Sequence, residues 1–270
     1  MNATWIITAF VVIDDLMTAL GHRTHPLAQA SDAEVLTVAI VAAKYFQNHH
    51  ECALCVMQEC GYLSGALSTS RFNRRLHALG DWLLLAAETL GELFATGETY
   101  VIDSMPVPVC RRIRAWRCRK VRGRIYCGYC AAKDEKFFGW RLHLVCTPAG
   151  EPVRFTLLPA SLHDLTPVHE LADALPAGAK LLGDKAYISA SDATAILTAS
   201  GVRLVAQVRA NMQPLDWWDD FDLRDYRHTI ETVNSQLEKM AIERIYARTN
   251  PGFSIKVHAA IVALALTNAD

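Results

Sequence analysis

The spacing of hydrophobic and polar residues changes character near residue 97. Before it, apolar positions recur at helical intervals. The opening run Met1–Ile13 is apolar and leads into Asp14 and Asp15. It lacks a basic flank and a small-residue cleavage site, so it predicts a buried helix and not a signal peptide. Val35, Ile40, Val41 and Lys44–Phe46 lie in a helical run that starts after Ser31 and Asp32, residues suited to an N-cap. Asp81 to Phe94 carries Trp82, Leu83, Leu85, Ala86, Leu90 and Leu93 at helical spacing, and Gly97 closes the block.

Beyond it the pattern shortens. Thr99–Asp103 is a β-type run, Phe138–Cys146 alternates, Pro148–Glu151 reads as a hairpin turn and Pro152–Leu158 as the returning strand. A helix from Asp164 to Leu175, capped by Asp164, precedes a buried strand at Lys180–Asp184. A helix over Ser191–Ser200 ends at Gly201 and leads to a strand at Val202–Val208. Tyr226–Met240 is an amphipathic helix and Ile255–Leu266 a last, apolar one. Hairpin-linked strands followed by alternating strands and helices predict an α/β fold. Its core is a mixed, ribonuclease H-like sheet flanked by helices. The expected division is a helical N-terminal domain at 1–97 and a sheet domain at 98–270, with an insert at 110–130.

Two of the apolar strands end in a carboxylate, Asp103 and Asp184, and ligands gather at such carboxyl ends. Glu231 borders the apolar stripe Ile230, Val233, Leu237 and Met240, so it can lean toward the sheet edge, with Arg227 one turn earlier. Three carboxylates meeting there would hold two Mg²⁺ ions about 3.5–4 Å apart. One would activate an attacking hydroxyl and the other stabilise the departing oxygen of a phosphodiester. Each residue also has a plainer reading. Asp103 can cap the next turn, Asp184 can open the turn Asp184–Tyr187, and Glu231 can pair with Arg227.

The segments Val101–Cys110, Gly183–Tyr187 and Ile230–Leu237 resemble bacterial insertion-sequence transposases of the DDE class, nearest to the insertion-sequence-982 group. Ile242–Thr249, Gly252-Phe253 and Phe72–Leu76 extend the likeness over nearly the whole chain. The resemblance implies a ribonuclease H-like catalytic domain, Mg²⁺ or Mn²⁺ as cofactor, and an acidic triad at Asp103, Asp184 and Glu231. It also implies DNA as partner: the element's own terminal inverted repeats and a target. Joining two ends implies a homodimer on DNA. Related families carry Tyr three residues before the Arg and Lys seven after the Glu. Here Tyr226 adjoins Arg227, which fits the Arg position, and Glu238 holds the seventh place with Lys239 next to it.

The formal net charge of −1 argues mildly against a nucleic-acid partner, but the charges are clustered. Eight cations (Arg111, Arg112, Arg114, Arg117, Arg119, Lys120, Arg122 and Arg124) fall within 14 residues around Trp116. Guanidinium forks suit phosphate oxygens and the indole suits stacking, so this insert is a candidate DNA contact; a solvated charged loop is the alternative. Cys110, Cys118, Cys127 and Cys130 frame it. The Cys127–Cys130 knuckle allows a four-thiolate structural Zn²⁺ site or packed free thiols. Eight cysteines without a secretion signal predict reduced thiols and a cytoplasmic location. No stretch reaches the roughly 18 apolar residues of a membrane span. Gly65–His77 resembles the second helix of a helix-turn-helix, capped by Ser68 or Ser70. Arg71, Asn73, Arg74 and Arg75 would then face a groove; an ordinary basic surface helix is the alternative. His143 and His163, near the expected sheet edge, rank after the carboxylates. A metal-dependent nuclease without strand transfer, or an inactive DNA-binding remnant, are the competing functions.

Overall fold

The computed structural model describes residues 1–269 and every side chain among them except that of Ala132. Two compact units divide the chain. One comprises Met1–Thr89 with Gln236–Asp270, the other Leu90–Ser235. This differs from the expected boundary after residue 97, because the last helix belongs with the first ones.

The first unit holds helices α1 (Ala3–Ala19), α2 (Asp32–Phe46), α3 (His50–Glu59), α4 (Thr69–Ala78), most of α5 (Gly80–Phe94) and α9 (Asn250–Asn268). Ser31 and Glu34 close a capping box at the start of α2, and every residue from Ala33 to Ala43 is buried. α9 is nearly as apolar on all sides, with Ala259–Leu266 buried throughout. Helices without a polar face must be enclosed. These two pack on each other, and α1, α3 and α4 also pack on α2. The apolar tail therefore completes the N-terminal core instead of extending the sheet.

The second unit is built on a six-stranded mixed sheet: β1 (Thr99–Arg111), β2 (Cys127–Cys130), β3 (Glu135–Cys146), β4 (Pro152–Pro159), β5 (Lys180–Gly183) and β6 (Arg203–Ala206). The path runs β2-β3-β1-β5-β6, and β4 also pairs with β3. β3 is antiparallel to β1, β2 and β4, whereas β5 is parallel to both β1 and β6. The strand and helix order agrees with the expected mixed sheet flanked by helices.

The first part of β1, Tyr100–Ile102, is buried on both faces, which explains its continuous apolar run. Tyr100 and Ile102 join Leu181 and Leu204 in a core with Val168, Leu171 and Ile196, from α6 (Val168–Asp173) and α7 (Ala190–Ser200). Val101, Leu182 and Val205 face the other way, against Leu223 and Tyr226 of α8 (Trp217–Lys239). Tyr226 is thus a packing residue.

Three expected elements are corrected. β1 does not stop at Asp103 but continues to Arg111, because Met105, Val107 and Val109 are buried and the strand stays paired with β3, with one register shift between Pro108 and Cys110. β5 pairs with only Thr99–Val101, so Pro106 and Pro108 fall where β1 has a neighbour on one side only. The insert contributes a strand of its own, β2, on the far side of β3. Asp164 does not cap a helix: α6 begins at Val168, and the Asp164 carboxylate accepts hydrogen bonds from elsewhere.

Candidate active site

The parallel register of β1 and β5 sets Val101 beside Leu182. Two residues further along each chain stand Asp103 and Asp184, so the same register brings the two carboxylates to one place. Side chains alternate along a strand, so Asp103 lies on the face of Val101, the face that α8 covers. Its Oδ2 accepts a hydrogen bond of 2.8 Å from the Asn234 amide. Burial pushes its carboxyl up to about 6, and the nearby charges of Asp184 and Asp164 add to this; the Ser104 backbone N–H and Asn234 oppose it. Asp184 is exposed and caps the short turn Lys185–Tyr187, accepting from the Ala186 N–H at 2.9 Å. Tyr187 is buried among the three aspartates, and burial together with those charges holds its phenol un-ionised.

Glu231 is not beside them. Its carboxylate is 58% exposed and accepts from Arg227 Nε at 3.0 Å, the plainer of its two expected arrangements. Asn234, three residues on along the same helical face, is the residue that reaches Asp103. Among the described residues, no three His, Cys, Asp or Glu side chains are gathered closely enough to hold a metal ion. The aspartate pair nevertheless has the chemistry of a hard-cation site. Its donors are carboxylate oxygens, and no basic side chain among the described residues is bonded to Asp103 or Asp184. A divalent cation would offset the burial, and the smaller repulsion from Asp184 and Asp164, that raise Asp103.

The profile of the transposase DDE domain matches residues 95–249. The chain belongs to the DDE transposase family. No curated protein and no solved structure matches it. The match covers the whole sheet and α8, so this DDE transposase carries Asp103, Asp184 and Glu231 inside the family's domain.

Sequence reasoning placed His143 and His163 near the sheet edge and gave Asp164 a capping role, but missed Ser104 and Arg141, which join Asp164 behind the pair. Ser104 Oγ donates to Asp164 Oδ1 at 2.7 Å, and Arg141 Nη1 reaches both Ser104 (3.2 Å) and Asp164 (3.4 Å). His143 is fully buried opposite Ser104, and burial brings its ring down to about 4, so it is neutral at pH 7. Its Nδ1 stands 4.0 Å from Asp164, beyond hydrogen-bond range. His163 is exposed and accepts from the Leu165 N–H. The only sequence signal for Ser104 was its position next to Asp103.

The basic segment of the transposase leaves the sheet at the end of β1. Arg112–Arg117 forms a 3₁₀ turn. Arg111, Arg112, Arg114, Arg117, Arg119, Arg122 and Arg124 are all exposed, and none makes an ion pair among the described residues. Arg117 lies over the exposed Trp116 ring, 4.2 Å from its centroid. Lys120 departs from the expectation: it is half-buried and donates to the Val109 carbonyl at 3.3 Å. The expected zinc site is not assembled either. Cys110 and Cys127 both pair with Phe138, from opposite sides of β3, so two strand spacings of about 4.8 Å separate them. Zinc needs every sulfur about 2.3 Å from the metal. Cys118 contacts Cys110, while Cys130 pairs with Glu135. All four are free thiols.

In the helical unit, Ser68 caps α4, and Arg71, Asn73 and Arg74 are exposed. Arg71 and Arg74 line a cleft of about 430 Å³ together with Leu27, Leu67 and Ala78. Arg75 is not available to a groove. It donates to the Ala30 carbonyl at 2.8 Å and grips Asp32, which also holds His22. Lys239, the exposed last residue of α8, lies in this unit as well.

Proposed function

We propose that this DDE transposase cleaves and joins the terminal inverted repeats of an insertion element of the 982 group, with a divalent metal held by Asp103, Asp184 and Glu231. The observation that carries this reading is the register-matched aspartate pair, bonded to no basic side chain, within the matched domain. The sheet order is consistent with a ribonuclease H-like fold. Divalent cations, when bound, supply the charge that activates the attacking hydroxyl and stabilises the departing oxygen.

The chain's own residues prepare for this. Asp103 and Asp184 offer oxygen donors at one sheet edge. Glu231 joins them by leaving Arg227. An exposed i,i+4 pair is worth only about 0.3–0.5 kcal/mol, so reorientation costs little. The released Arg227 is then free to bind a phosphate. The arginines from Arg112 to Arg124, excluding the occupied Lys120, follow the DNA backbone. Arg71, Asn73 and Arg74 read or anchor the element ends, and Lys239 adds a phosphate contact. The protein acts in the cytoplasm as a homodimer on DNA. No described helix is long and apolar enough to cross a membrane.

The test is a strand-transfer assay on a duplex carrying the DNA that flanks the coding sequence. Joined products are expected with Mg²⁺ or Mn²⁺ and none in EDTA. Joining in EDTA would refute the metal reading, and metal-dependent cleavage without joining would identify a nuclease.

The basic segment has its own test. Changing Arg117, Arg119 and Arg122 together to Ala should flatten the plot of log affinity against log salt by about three units, roughly 0.9 per lost phosphate contact. Fluorescence anisotropy with a labelled end duplex measures it. An unchanged slope would mean that these arginines only solvate a loop.

A further inference from the structure

We infer that Asn234 is a positioning residue for Asp103, fixing the orientation of that carboxylate and the register of the helix face that carries Glu231. This rests on the proposed role of Asp103 as a metal-holding carboxylate. Asn234 lies 131 residues away along the chain, yet its amide donates to Asp103 Oδ2 at 2.8 Å. It is partly buried on α8, between Val233, which is buried, and the exposed Ser235.

The choice of side chain is informative. Asn is a poor helix former in a helix interior, so its place there calls for a local contribution. An amide donates a hydrogen bond without bringing a charge. Arg or Lys at the same place would neutralise the carboxylate and compete with a cation; Leu would fill the space but leave the carboxylate to rotate. Asn holds one oxygen and leaves the negative charge of the group intact. Glu231 and Asn234 are three residues apart and share a face, so a bond from Asn234 to the strand fixes where Glu231 arrives when it leaves Arg227. Partners of metal-holding groups commonly govern affinity or activity by about 10–100-fold.

The test compares the full-length wild type with Asn234→Leu, which keeps the branched shape and loses the donor, and Asn234→Gln, which restores a donor. Mn²⁺ alone is titrated by electron paramagnetic resonance without DNA, and kcat and KM for end cleavage are measured separately. Asn234→Leu should weaken Mn²⁺ binding and lower kcat, each by about 10–100-fold. KM for DNA should stay within about twofold, and Asn234→Gln should move both values back toward wild type. A purely structural role would leave Mn²⁺ affinity unchanged in protein that remains folded. If Asn234→Leu fails to fold, Asn234→Ala takes its place. Mn²⁺ affinity and kcat within about twofold of wild type in the folded variant would overturn the inference. Asp103→Asn serves as the control. If it is inactive while the Asn234 variants are normal, only the positioning role fails. If it binds Mn²⁺ and cleaves like wild type, the metal reading beneath it fails too.

Discussion

Replacing Asp103 by Asn is expected to stop DNA cleavage while making the protein more stable at neutral pH. Asn keeps the shape and can still accept the Asn234 hydrogen bond through its carbonyl. It cannot carry the charge that a divalent cation needs, so cleavage should fall by roughly 10³-fold or more. DNA affinity, set by arginines elsewhere, should change little. The stability effect follows from the raised carboxyl, which moves from 3.8 unfolded to about 6 folded. Below about pH 4 the group is mostly protonated in both states and has little effect. Between about pH 4 and 6 the unfolded chain ionises the group while burial, Asp184 and Asp164 keep it protonated in the folded protein, so stability falls across that window and levels off above it. Asn avoids that cost. The variant should gain about 3 kcal/mol at pH 8 and well under about 1 kcal/mol at pH 4. Urea unfolding of both proteins at the two pH values measures this. A variant less stable at pH 8 would show that the carboxylate is not held in the disfavoured state described here.

Much of the catalytic unit was legible in the sequence because periodicity reports burial. The alternation along Phe138–Cys146 and Pro152–Leu158 marked β3 and β4. The unbroken apolar runs at Thr99–Asp103 and Lys180–Gly183 marked strands enclosed on both faces. Other features depend on partners that no local pattern encodes. β2 is four residues, Cys-Gly-Tyr-Cys, with no alternation to read, and its ladder partner is supplied by β3. α9 is visibly apolar, but only the packing shows that it closes on α2 and not on the sheet. Arg75 looks like its neighbours Arg71 and Arg74, yet it is consumed by Asp32, 43 residues earlier. In the site itself, the two aspartates could be picked out because each follows an apolar run, although β1 continues past Asp103. The Asn234 contact could not, since it joins a helix to a strand across 131 residues through one amide.

The second large effect is expected at Glu231, where sequence and structure differ most. The acidic triad requires this carboxylate beside Asp103 and Asp184, whereas the structure shows it paired with Arg227 and exposed. In the proposed mechanism this weak surface pair gives way when DNA and metal arrive. Little energy is then spent in releasing the side chain, and its charge is needed only in the assembled complex. The most direct measurement is strand transfer in Mg²⁺ by Glu231→Gln, with end-DNA affinity determined in parallel. A loss of roughly 10³-fold or more, with affinity kept, is the predicted outcome. Wild-type rates from the glutamine variant would contradict it and leave Glu231 as no more than the surface partner of Arg227.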